Sequence, residues 1–172
     1  CGIDNDVRSS TTAELLLGQG RYSKNFIYLN VGTGLAAGFV VEGQILRGAN
    51  VNAGEIGHMV VDLSDGSPCA CGRAGCVENV VSGIGFTQQA QLHGMDELMT
   101  QAGRRADVCR LFDRAEEGDA VCREIMEYGA RALACVIMNL VRTTDPDTII
   151  YGGGILGDER FLHMVERALE PE

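Results

Sequence analysis

Positive charge is scarce in this chain: 14 Lys and Arg stand against 24 Asp and Glu, a formal net charge of −10. A nucleic-acid face needs clustered cations to displace the counterions of the phosphate backbone, so no nucleic-acid partner is expected through this segment. Long apolar runs are also missing. None approaches the roughly 20 residues that cross a bilayer, and no membrane span is expected. The opening residues carry no basic, apolar, small-residue leader. The seven cysteines, an odd number scattered along the chain, do not frame a disulfide scaffold. A reducing cytoplasm is the expected location. There is no internal repeat or low-complexity tract. An initiator Met and a strand after the last helix are lacking too, and Cys1-Gly-Ile-Asp4 reads as the end of a buried strand. The chain is therefore expected to be a fragment of a longer protein.

What is present suits one ordinary core: 172 residues, 45% hydrophobic and 22% charged. The most informative stretch is residues 54–78, GEIGHMVVDLSDGSPCACGRAGCVE. It holds His58, Cys69, Cys71 and Cys76, flanked by carboxylates at Glu55 and Glu78. One His and three Cys are a standard structural zinc set. Gly72 and Gly75 let the backbone fold round a small ion, and Gly66 with Pro68 marks the preceding turn. The alternatives are buried thiols or a disulfide for the cysteines, and an ordinary core or loop histidine for His58. Metal is favoured because three thiols cannot pair completely among themselves, and an apolar core stretch would not carry Gly, Arg and Pro.

Around this segment the hydrophobic period changes twice. Residues 25–31, 35–41 and 44–46 are β-rich runs parted by Gly32-Thr33-Gly34 and Glu42-Gly43, which predicts an antiparallel meander. A Gly-Thr-Gly turn offers unobstructed backbone N–H groups and a hydroxyl to a phosphate, or it is simply a tight turn. Before the meander, Ser9 to Leu17 reads as a short helix, stopped at Gly18. Asn5 and Asp6 either project from the carboxyl end of a strand, where α/β sheets bind ligands, or form a helix cap.

After the meander and the cysteine segment, 76–81, 84–93, 95–101, 106–114 and 119–141 read as helical. The last has apolar positions wide enough to pack on two sides. Cys109, Cys122 and Cys135 are expected to fill core positions in these helices. Residues 94–118 read as an insertion rather than a linker. Asp145-Pro146 turns the chain into a short buried strand at 147–151, then Gly152-Gly153-Gly154, then an amphipathic helix from Asp158 to Leu169. Strand, glycine turn and helix commonly contact nucleotides, and also occur in plain tight packing.

Gly54-Glu55-Ile-Gly57-His58 followed by Cys69-x-Cys71-Gly-x-x-Gly75-Cys76-x-Glu78 resembles the signature of the ROK family of bacterial sugar kinases and sugar-responsive repressors. Asn5-Asp6, Gly32-Thr33-Gly34, Arg47-Gly48-Ala49-Asn50 and Gly152-Gly153-Gly154 follow in the family's order. The resemblance implies an α/β fold of the actin-like, hexokinase-like (ribonuclease H-like) ATPase type. Residues 1–172 would form its C-terminal lobe, with a mixed sheet, packed helices and a zinc loop at 54–78. It implies Asp6 as general base, and Asn5, Glu55, His58 and Glu78 as the groups that hold the hydroxyls of a hexose or amino-hexose. Gly32, Thr33, Gly34, Gly153 and Gly154 would contact ATP, with Mg2+ bridging its phosphates. A structural Zn2+ would sit on His58, Cys69, Cys71 and Cys76. Arg47 is either a phosphate contact or, as a hairpin-end Arg more often is, a surface residue. A homodimer is also implied. The family's amino-terminal Asp-x-Gly-Gly-Thr hairpin is not among these residues, so the fragment alone is expected to be inactive. Leu35-Ala36-Ala37-Gly38 is less glycine-rich than the family's usual run. The parent reads as an ATP-dependent hexose kinase, with a NagC-like sugar-responsive regulator as the alternative.

Overall fold

The structure, a computed structural model, describes residues 4–64, 67–99 and 107–170. The strand end expected at Cys1 to Ile3, the turn residue Gly66 and the end of the helix expected at 95–101 lie outside them. Among the described residues, no helix is long and apolar enough to cross a membrane.

The predicted meander is observed: β1 (Phe26–Val31), β2 (Leu35–Val41) and β3 (Gln44–Ile45) pair antiparallel, with Val31 opposite Leu35 across the Gly-Thr-Gly turn. β4 (Thr148–Gly152) then joins β1 in parallel, giving a mixed sheet of order β3-β2-β1-β4. Strand alternation sorts the residues between two faces. Ile27, Leu29, Val31, Leu35, Ala37 and Phe39 face the main core. On the other face Gly38 accepts Thr11 of α1 (Asp6–Leu16), where a Cβ would run into the Thr11 hydroxyl. The result is a helix, a sheet and a helical layer.

That helical layer contains α2 (Glu78–Val81), α3 (Gly83–Leu92), α4 (Val108–Glu116), α5 (Ala120–Thr144) and α6 (Glu159–Leu169). α5 is 25 residues long, about 37 Å at the usual rise. Asp119 caps it by accepting from the N–H groups of Val121 and Cys122 at 3.0 and 3.1 Å, and Asp145 ends it in the left-handed region. Its buried residues, among them Ile125, Leu133, Val136 and Leu140, belong to the same core cluster as the inward-facing residues of the sheet, and α5 packs on α2, α4 and α6. Phe86 of α3, Phe112 of α4 and Phe161 of α6 lock three helices together, with ring centroids 5.6–6.0 Å apart and each ring at most 1% exposed.

Four expectations need correction. α1 begins three residues before Ser9, because Asn5 supplies the cap: its side chain accepts from the Arg8 N–H at 3.0 Å. β4 is not a buried strand. It sits at the sheet edge, with Thr148 and Tyr151 exposed. Of the three helical cysteines only Cys122 is buried, whereas Cys109 and Cys135 are exposed. Residues 96–98 make one 3-10 turn rather than a longer helix. Leu98, Leu111 and Phe112 nevertheless join the common core, so this stretch is built into the lobe.

The same helical layer predicts an acid response. Asp158 caps α6 and takes a two-pronged contact from Arg160, Nε at 2.9 Å and Nη2 at 2.7 Å; Arg160 also reaches Asp113 and Glu116. The Arg160 contact is the main reason that the Asp158 carboxyl lies below its ordinary value. A lowered carboxyl stabilises the fold above its unfolded-state value, near pH 3.9, and loses that contribution as pH falls through the folded value. Arg160→Gln is therefore expected to melt a few degrees below the parent at pH 7. Thermal melts should show the gap closing below about pH 4.

Candidate functional site

Parallel pairing of β1 and β4 sets Asn30 opposite Gly152, so both strands end side by side and their glycine turns emerge together. Carboxyl ends of adjacent strands are where α/β sheets bind ligands. Gly153, at φ +91°, packs so closely on β1 that a Cβ would strike the Val31 carbonyl, and Ile155 N–H donates to that oxygen at 3.1 Å. The carbonyls of Gly32 and Thr33 accept from the N–H groups of Gly83 and Ile84 at 2.8 and 3.0 Å, which ties the hairpin to the start of α3. Gly32, Thr33 and Gly154 thus line one open cleft of about 340 Å³. Gly34 and Gly153 are not among its lining residues. Val108, Cys109 and Phe112 of α4 and Asp158 form further walls, and sequence reasoning missed them as site residues. Nothing in their local pattern marks them, since α4 reaches the cleft only through tertiary packing.

At the other end of the Gly-Thr-Gly turn lies Glu78. Its Oε2 accepts from Leu35 N–H at 3.0 Å, and a Cβ added to Gly34 or Gly57 would come within 2.6 or 3.1 Å of that oxygen. The Gly54–His58 segment is laid along β2. Gly54 carbonyl accepts from Ala37 N–H at 2.9 Å, and a Cβ on Gly54 or Gly57 would run into the carbonyl of Ala37 or Leu35. Gly54 also has φ +105°. Gly54→Ala is therefore expected to destabilise the fold by about 2 kcal/mol or more, through combined strain and backbone collision. Urea unfolding would measure it.

The turn Ile56–His58 delivers His58 to the cysteines. His58 Nδ1 lies 3.4 Å from Cys69 Sγ, Cys71 Sγ lies 3.6 Å from Cys76 Sγ, and the four ligand atoms all fall within 4.8 Å of one another. Tetrahedral zinc with Zn–S near 2.3 Å would separate its ligands by about 3.7 Å. Donor set and spacing therefore fit a four-coordinate ion. Burial pushes the Cys76 thiol up to about 12, while the hydrogen bond from the Arg73 backbone lowers that of Cys71. The loop is held from outside as well: Tyr128 of α5 donates to Asp62 at 2.8 Å, and buried Asn79 donates to the Pro68 carbonyl at 3.2 Å.

Asn5 and Asp6 stand at the start of α1, half-buried and exposed respectively, and Asn5 Oδ1 is engaged in capping. Beside them Asp4 binds both Arg8 and Arg47, so Arg47 meets a carboxylate. Glu55, next to the Ile56–His58 turn, is exposed.

The ROK family profile matches residues 1–172, and the chain belongs to that family. It is 36% identical over 168 residues to an N-acetylmannosamine kinase of Escherichia coli, covering 98% of this chain and 54% of the relative. Among solved structures, a ROK hexokinase from Thermus thermophilus matches with a TM-score of 0.82 at 28% identity, over 96% of this chain and 53% of that one. A ROK-family transcriptional regulator, a homologue of the E. coli MLC protein, matches with a TM-score of 0.78 at 26% identity, over 96% and 42%. The fold is accordingly of the actin-like, hexokinase-like type. The chain spans about half the length of the curated relatives it matches.

Proposed function

We propose that the chain is the C-terminal lobe of an ATP-dependent kinase that transfers the γ-phosphate of ATP to a hydroxyl of a hexose or amino-hexose. The observation that carries this is the double role of one short turn. Gly32 and Thr33 line the 340 Å³ cleft with Gly154, while Gly34 abuts the Glu78 carboxylate. Nucleotide phosphates on one side and sugar on the other would meet across that turn.

Asp6 accepts the proton of the attacking hydroxyl as its oxygen bonds to the γ-phosphorus and the bond to the ADP oxygen breaks. Asn5, Glu55, His58 and Glu78 hold the other hydroxyls, Asn5 through the amide nitrogen that its capping role leaves over. Gly32, Thr33, Gly34, Gly153 and Gly154 give ATP close backbone approach. Mg2+, when bound, neutralises phosphate charge. His58, Cys69, Cys71 and Cys76 would hold a structural Zn2+, whose role would be to brace the loop; His58 Nδ1 is the ring nitrogen that lies beside Cys69, so Nε2 is the one free to serve the sugar. On this reading the 172 residues alone do not turn over, and the protein works as a cytoplasmic homodimer.

The solved regulator favours a second reading, an effector-binding domain that uses the same pocket to sense sugar. The separating experiment is ADP release by the full-length protein with MgATP and a panel including glucose and N-acetylmannosamine. Sugar-dependent release supports the kinase. Sugar binding without release with any sugar supports the regulator.

A further inference from the structure

The proposed sugar pocket draws on stretches far apart in sequence. Asn5 and Asp6 open α1, whereas Glu55 and His58 follow the loop 47–54. Gly54 and Gly57 fasten the second stretch to β2. α1 itself packs on β2 where Thr11 meets Gly38, and one carboxylate then joins the intervening loop to it. Asp4 Oδ1 accepts from Asn5 N–H at 2.9 Å and from Arg8 Nε at 2.6 Å, and Oδ2 lies 3.0 Å from Arg47 Nη2. Arg8 continues outward, its Nη1 donating to the Val51 carbonyl at 2.9 Å. The loop is thus gripped at its entry through Arg47 and near its exit through Val51.

Two features make this more than an incidental surface contact. The Arg8 and Asp4 side chains are 12% and 24% exposed, which spares their pairing from full solvent screening, while Arg47, at 59%, adds a more screened second arm. Val51 sits at φ +59°, a left-handed conformation that a β-branched residue rarely adopts. Such strain persists where surrounding contacts hold it, and the Arg8 hydrogen bond is a holding contact at that carbonyl.

We propose that Asp4 is a positioning residue of the sugar pocket: through Arg8 and Arg47 it sets the Asn5–Asp6 side against the Glu55–His58 side. This rests on the sugar-site reading above. Asp4 takes no proton and touches no substrate; both its oxygens are engaged by protein donors. Its effect is geometric, since a displacement of about 1 Å in a reacting pair costs on the order of 100-fold in rate.

The test uses the full-length protein with Asp4→Asn, Asp4→Glu, Arg47→Ala and the double variant Asp4→Asn/Arg47→Ala. The readouts are sugar Kd by calorimetry, kcat, KM for sugar and for ATP, and Tm. Asp4→Asn turns an amide donor toward Arg47 and is expected to weaken sugar kcat/KM, or sugar Kd in a protein that only binds, by roughly 10- to 100-fold. KM for ATP and Tm should hold, and Asp4→Glu should restore part of the loss. The double variant should be no worse than Asp4→Asn alone, because both remove one shared contact. Unchanged sugar parameters would overturn the inference, as would a parallel loss of Tm and ATP KM or strict additivity. A parent protein that neither binds nor phosphorylates sugar would overturn the pocket reading, and this role with it. A sugar-active parent with an unaffected Asp4→Asn variant would overturn the positioning role alone.

Discussion

Cys76→Ser is expected to purify without zinc and to melt roughly 6–12 °C below the parent, a loss of about 3 kcal/mol or more for a domain of this size. Cys76 is the most deeply seated member of the quartet at 0% exposure, and its thiol is the one that burial disfavours as a thiolate. A divalent cation reverses that penalty, because it stabilises a bound thiolate outright. Among the described residues the loop is fastened by the bridges Val60–Cys76 and Pro68–Ala74, the Asn79 contact and the Tyr128–Asp62 hydrogen bond, and none of these holds the Cys71 or His58 side chain. Loss of the ion should therefore release Cys69 and Cys71 and let the His58 ring turn. Serine conserves volume, so a plain buried thiol at this position would cost only about 1–2 kcal/mol and leave metal content untouched. Mass-spectrometric metal analysis beside thermal melts separates the two. Unmutated protein that carries no zinc after purification in chelator-free buffer would sink the metal reading.

Asp6→Asn in the full-length protein is expected to lower kcat by about 10²- to 10⁴-fold, the range for a lost general base, while KM for sugar moves little. The substitution is nearly isosteric. Asn5, not Asp6, caps α1, and an amide oxygen at position 6 can still accept from the Val7 N–H as Asp6 does at 2.9 Å, so the main effect on folding is the loss of one first-turn acid, about 0.3–1 kcal/mol. A kcat within threefold of the parent would remove Asp6 from the chemistry. Collapse of kcat together with a large fall in Tm would mean a damaged α1, and unchanged sugar affinity by calorimetry guards against that reading. The zinc and Asp6 variants differ in a useful way: the first should weaken sugar binding along with stability, the second should slow transfer and spare both.

Much of the secondary structure was legible because its determinants are local. Glycine turns between β-rich runs dictate the β1–β2–β3 meander. Asp119 and Asp158 announce α5 and α6 as side-chain caps, and Asp145-Pro146 ends α5. The convergence of Cys69, Cys71 and Cys76 was legible for the same reason, since three cysteines in eight residues have few ways to arrange themselves, and the fold adds His58 to them. Asn5 was harder. A polar residue at a strand–helix junction satisfies both a ligand-binding and a capping reading, and only the observed hydrogen bond to Arg8 establishes the cap.

What required the folded chain is what joins remote segments. Asn30 and Gly152 are roughly 120 residues apart, and no local pattern says that their strands pair in parallel, yet that pairing puts the two glycine turns into one cleft. It also leaves β4 at an edge, which is why an apolar run of strand type turned out half-exposed. Cys109 and Cys135 share helices with buried cysteine-sized positions, but exposure depends on which face the neighbouring helices cover. Asp4, read as the end of a strand, and Arg47, read as a candidate phosphate contact, meet only because the loop 47–54 folds back onto α1. Local chemistry chose the elements and brought the three cysteines together; long-range packing, which no short window encodes, decided which of them face one another across the site.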